Sequence, residues 1–200
     1  MPFLKFLPAL FLALLLTPTQ PAAGQPTSSE AMAALNKAMA AHSIGDNKTA
    51  LEAIWVAQQA IWNQAPLGIR NSHFVTEQPE NFGSYTPKVG DDYRSHEPLI
   101  FYSEPFGFTQ KKQADGTYSY SINGAFAIIN SKKQTIGGQD NLGPYEMRGY
   151  RSFTVENMLV MTIGVQGLQP GSYILRVTLT DNLNPSKTAT VDKPFRLVSE

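Results

Sequence analysis

The chain has 200 residues, in which sixteen Lys plus Arg balance sixteen Asp plus Glu, with three His and no Cys. Balanced charge without clustered cations excludes a phosphate-binding nucleic-acid surface. The lack of cysteine excludes a disulfide framework, so a hydrophobic core alone has to hold the fold.

In chain order, Met1–Lys5 is a short segment with one positive charge, and Phe6–Leu16 is an eleven-residue apolar run. Such a run suits the apolar core of a signal peptide and is too short to span a bilayer. Ala22 and Gly24 then put small residues at the minus-three and minus-one positions of a cleavage site. Residues 1–24 are therefore read as a signal peptide cut after Gly24, and the working chain is expected to begin at Gln25, in the periplasm or outside the cell. No stable membrane insertion is expected after cleavage. An exported chain without disulfides fits a bacterial envelope.

Residues 28–64 are rich in Ala, Leu, Met and Gln and free of Pro, which reads as a helical hairpin. Ser28 or Ser29 suits the first N-cap, and Met32, Leu35 and Met39 recur at helical spacing. Gly45 suits the left-handed residue closing the first helix and Asp46 the N-cap of the second. At about 100° per residue, Leu51, Ile54, Trp55, Gln58, Ile61 and Trp62 share one arc of the second helix, so that arc is expected to be buried. Pro66 and Gly68 end the helix.

A polar connector over 71–96 is expected to hold short strands near 73–77 and 85–89. From residue 97 the pattern is β: strands are expected over 98–104 and 117–123, the latter running on through 125–131 past Gly124. A Gly-rich loop over 137–149 is expected to lead to one long strand, 150–165, with Phe153, Val155, Leu159, Met161 and Ile163 facing the core. The last two strands, 172–181 and 187–198, form a hairpin across the turn cluster Asp181–Ser186, and Pro194 places the final strand at a sheet edge or a bulge.

Leu168-Gln169-Pro170-Gly171-Ser172-Tyr173, followed by alternating apolar residues to Asp181, resembles the turn into the penultimate strand of immunoglobulin-like and fibronectin-type-III-like domains. There a Leu and a Tyr flanking a Pro or Gly turn pin the corner between sheets. The resemblance implies a β-sandwich and no particular activity. Gly45-Asp46, Ala50-Leu51 and Ala57 resemble one tetratricopeptide repeat, present as a single copy. Signal, hairpin and sandwich together are similar to families of small exported bacterial proteins.

Chemistry-bearing residues are sparse. His42, His73 and His96 stand far apart, none with a second ligand at metal-binding spacing, and no nucleophile elbow or phosphate loop is present. Asp91-Asp92, and Glu97 with Glu104, could pair carboxylates for acid/base chemistry, and Asp91-Asp92 with Asp140 could bind calcium, but the first pair reads rather as a self-capping turn. Tyr118 and Tyr120 share a strand face. Left open, that face stacks on a sugar or a partner chain; covered, it packs beneath the hairpin.

The fold expected is α+β: a helical hairpin, 28–64, packed against an immunoglobulin-like antiparallel β-sandwich, 71–200. The function expected is non-enzymatic, a binding or assembly module of the cell envelope. It would meet another envelope protein or a polysaccharide through Tyr118, Tyr120, Trp55 and Trp62, with no cofactor, metal or catalytic residue. The alternative of a different class is a metal-dependent or acid/base hydrolase using Asp91, Asp92, Glu97 or His96.

Overall fold

A computed structural model describes residues 28–150 and 154–199. The expected signal peptide and the core position expected for Phe153 lie outside the described residues. Two helices come first, α1 (Ser28–Ser43) and α2 (Asn47–Gln64). Gly45, at φ 80°, makes the turn between them, and the Asp46 carboxylate caps α2 by accepting from the Thr49 N–H at 3.1 Å. Ten strands follow: β1 (Gly68–Phe74), β2 (Asp92–Tyr93), β3 (Leu99–Phe106), β4 (Lys111–Lys112), β5 (Tyr118–Asn130), β6 (Thr135–Gln139), β7 (Pro144–Tyr150), β8 (Leu159–Ile163), β9 (Gly171–Asp181) and β10 (Thr188–Leu197). The chain is thus α+β, a helical hairpin followed by a mostly antiparallel β region.

The strands form two sheets. The smaller has the order β1-β3-β8, and the larger runs β2-β10-β9-β5-β4, with β6 and β7 along the other edge of β5. Among the described residues only the short pairing of β2 with β10 is parallel. Period-two alternation turns Leu175, Val177 and Leu179 of β9 and Ile122 and Ile128 of β5 inward to meet Leu99 and Phe101 of β3 and Leu159, Met161 and Ile163 of β8. Gly124 lies inward on β5, and a Cβ there would stand 2.7 Å from the Met161 methyl. The glycine lets the facing sheet close without breaking the strand.

Several expected boundaries move. The first strand already runs at Gly68, and residues 85–89 form no strand, only one bridge from Pro87 to Val75. Two strands, β6 and β7, occupy the expected Gly-rich loop, because β5 is long enough to pair with both along one edge. Of the expected long strand over 150–165, Tyr150 closes β7 and, among the described residues from 154 on, β8 alone is strand, although Leu159, Met161 and Ile163 keep the expected inward phase. A period-two pattern marks which residues face the core, whereas strand length depends on a partner edge, and β8 pairs with only five residues of β3.

The corner reads as expected. The Tyr173 hydroxyl donates to the Gln169 carbonyl at 2.7 Å, the ring stacks on Phe195 at 5.5 Å, and Leu168 packs against the core. Arg196 and Val198 donate their N–H groups toward β2. By alternation Pro194 faces the same side, beyond the end of β2, so its missing donor leaves no ladder bond broken. We expect Tyr173→Phe to lower unfolding free energy by about 1 kcal/mol, the net worth of one hydrogen bond. Tyr173→Ala should cost about 2 kcal/mol, below the full truncation range because the ring is half-buried. Denaturant midpoints equal to wild type for both variants would contradict the corner.

Candidate functional site

The two helices meet along alanines. Ala31, Ala34, Ala38 and Ala41 of α1 face Ala50, Ala53, Ala57 and Ala60 of α2, all buried. Both rows step by three and four residues, the repeat that keeps a stripe on one side of a helix. Side chains this small let the two backbones approach closely, and the larger residues are turned away. This overturns the expectation that the arc of Leu51, Ile54, Trp55, Gln58, Ile61 and Trp62 is buried, of which Trp62 is, and it leaves the helically spaced Met32 and Met39 outside the seam. Met32, Met39, Leu51, Ile54 and Ile61 are between 47% and 72% exposed, and Leu35 is half-buried.

At about 100° per residue, these six side chains project from the same side of the two-helix layer. Met32 and Leu35 border Ile61 across a shallow groove of about 400 Å³. The opposite side holds another groove, where Glu30, Lys37 and Gln59 stand beside an apolar lining of Ala33, Ala34, Val56 and Ala60. The hairpin thus hides its alanine stripe and displays most of its large apolar side chains, with the charged residues Glu30 and Lys37 on the opposite side.

One end of α2 joins the sandwich. Trp62 is 9% exposed; its indole N–H donates to the Phe108 carbonyl at 2.8 Å, and its ring meets the Phe108 ring edge-on at 5.2 Å. The Lys187 ammonium donates to the carbonyls of Asn63 at 3.0 Å and Gly107 at 2.8 Å, and burial holds its pKa below the usual lysine value, against the opposing pull of Asp181. Gly107, at φ 73°, faces the Pro66 carbonyl so closely that a Cβ would stand 2.2 Å from that oxygen. One turn earlier on α2, the Gln59 amide donates to the Tyr118 hydroxyl at 3.0 Å. Beyond that the helix leaves the sandwich, and Trp55 is 45% exposed.

These contacts sort the four residues expected to meet a partner. Tyr120 is 6% exposed, packs on Phe108 at 4.7 Å and donates to the Asn157 side chain at 3.0 Å. Of the two readings of that face, open or packed beneath the hairpin, the open one fails: Phe108 and Asn157 cover Tyr120, and Gln59 of the hairpin reaches Tyr118. Tyr118, at the end of that face, is half-buried under Gln59, and Trp62 is the joint. Trp55 alone of the four remains substantially on the surface. The exposed Met and Ile residues were missed because apolar size was equated with burial; the alanine stripe was the signal that pointed the other way.

The carboxylates of the alternative reading hold structure. Asp92 forms a two-pronged pair with Arg196, at 2.7 and 2.6 Å, which holds its pKa below the usual range. Glu97 accepts from the Arg94 N–H at 3.0 Å. Asp91 lends its carbonyl to the Arg196 N–H, and His96 is exposed. Glu104 does not pair with Glu97. It is buried and accepts from the Tyr102 hydroxyl at 2.9 Å and the Asn71 amide at 2.8 Å, with the Arg70 guanidinium at 3.3 Å. Burial pushes the Tyr102 hydroxyl up to about 12, so it stays a neutral donor at ordinary pH. Among the described residues no three His, Cys, Asp or Glu groups gather to hold a metal. His42 bonds Asn47 and His73 stacks on Tyr85.

No protein-family model matches the chain, and no curated protein matches it in sequence. Among solved structures, CopC from Methylosinus trichosporium OB3b overlaps with a TM-score of 0.31 at 12% identity, over 56% of this chain and 87% of that one. The superoxide reductase (neelaredoxin) from Ignicoccus hospitalis overlaps with a TM-score of 0.32 at 12% identity, over 56% of this chain and 77% of that one. Overlap this loose transfers neither lineage nor chemistry.

The joint and the free face are separable by mutation. Trp62→Ala should lower unfolding free energy by about 3–5 kcal/mol, the cost of emptying a large buried ring. Trp55→Ala should cost no more than about 1 kcal/mol, as for surface changes generally. Denaturant titrations followed by far-UV circular dichroism read both, and equal losses would contradict this assignment.

Proposed function

We propose that the protein is exported to the periplasm or beyond and works there as a non-enzymatic binding or assembly module, with the hairpin as its contact arm. The observation that carries this reading is the inversion of the hairpin, whose alanine stripe is buried while five large apolar side chains on one face stand about half to three-quarters exposed. Soluble proteins keep contiguous apolar patches small unless something binds them. The apolar run at Phe6–Leu16 supports export. No helix among the described residues is long and apolar enough to cross a membrane.

Another protein fits the face better than a polysaccharide, since of the tyrosine pair that would have stacked on sugar rings Tyr120 is enclosed and Tyr118 is half-buried. The hydrolase reading finds no support in the carboxylates, because Asp92 and Glu97 are each committed to a partner within the fold. A photo-activated cross-linking residue placed at Trp55, Met39 or Leu51 in living cells tests the proposal. Adducts from these positions, and none from the exposed loop residue Lys133, are the expected result. Adducts that fail to form at all three hairpin positions would overturn it.

A further inference from the structure

We infer that the occupant of the hairpin's apolar face is a second copy of this chain, the two hairpins pairing face to face into a four-helix bundle around a twofold axis. The inference rests on the reading of the hairpin as the contact arm and names what that arm contacts. Three features of the face lead to it.

The first is spacing. On α1 the exposed row is Met32, Leu35 and Met39, and on α2 it is Leu51, Ile54, Gln58 and Ile61, so both rows repeat at steps of three and four. That is the repeat of helices whose apolar seam meets another pair of helices in a bundle. Each hairpin is half of such a bundle. Gln58, the one polar member, stands where a buried amide fixes register between pairing helices.

The second is charge. The charged residues of the hairpin are Glu30, Lys37, Asp46, Lys48 and Glu52, and at about 100° per residue none projects from the apolar face. A strongly charged partner would find nothing there to pair with. A membrane surface fits no better, because helices that lie on lipid carry a polar side rich in Lys and Arg, and here two lysines are set against three acidic residues. An uncharged apolar face is complementary to itself, which is what a twofold interface requires.

The third is area and access. At about 100 Å² of exposed surface apiece, the six apolar side chains of the two rows bring roughly 1,200 Å² into a pair, the lower end of stable interfaces. Trp62 leaves α2 on the side away from α1, so the joint to the sandwich lies off the apolar face.

Sedimentation equilibrium of the exported, purified chain, taken through a concentration series, tests this. The expected result is a mass twice that of one chain, falling toward one on dilution, with Ile54→Glu weakening association about tenfold or more. Val56→Glu, on the opposite face, should leave it unchanged. Far-UV circular dichroism confirms that both variants are folded, since both positions are exposed. A wild-type chain that stays single at about 100 μM, a concentration at which even weak specific pairs form, overturns the inference, as does equal weakening by both substitutions. The cross-linking positions separate the two levels. Adducts to a different protein by a chain that remains single overturn self-pairing and leave the contact arm standing, whereas a single chain with no adducts overturns both.

Discussion

The arrangement depends on one side chain. Trp62 enters the end of the sandwich beside Phe108 and Tyr120 and gives its N–H to a backbone carbonyl, so the last turn of α2 belongs to the β core. An indole can do both because it combines a large apolar body with one donor. Lys187 reinforces the joint by satisfying two carbonyls, on Asn63 and Gly107, that lie on either side of it. A half-buried ammonium in that position acts as a clamp between elements, and its lowered pKa is the cost of partial burial.

From that joint the rest of the hairpin follows mechanically. With one end fixed, α2 projects outward and α1 has only α2 to pack on. The alanine stripes make that packing close, but they bury little apolar area per residue, so the seam is economical and weak compared with a leucine seam. A lone pair of helices gains too little from such a contact to offset its ordering entropy comfortably. The displayed Met, Leu and Ile side chains are then the obvious further source of burial, which links the local packing of the hairpin to association. The polar network around Glu104, by contrast, is enclosed and satisfied by Tyr102, Asn71 and Arg70, and it braces the outer side of β3 against the connector.

Architecture was legible from sequence wherever periodicity and turn chemistry agreed. The Gly45-Asp46 turn, the Leu168-to-Tyr173 corner and the last β-hairpin were all readable in this way, because each is set by local residues. Strand partnership was not, since it depends on which edges are left over; hence β6 and β7 were read as a loop and β8 as longer than it is. The candidate site failed for a more specific reason. Trp55 and Trp62, seven residues apart, lie on nearly the same stripe of α2, and nothing in their spacing says that the sandwich ends between them. Tyr120 is held in the core by Phe108 and Asn157, which flank the strands of the second sheet and whose placement no pattern along β5 encodes.

The central claim is that the hairpin is held by its Trp62 end and otherwise stands free of the sandwich. Hydrogen–deuterium exchange on Trp62→Ala at high dilution tests this most directly. The account predicts that amides throughout α1 and α2 lose protection while those of β5, β9 and β10 keep theirs. Loss of protection in helices and strands together would mean that the hairpin is an inseparable part of the β core, and would contradict the account.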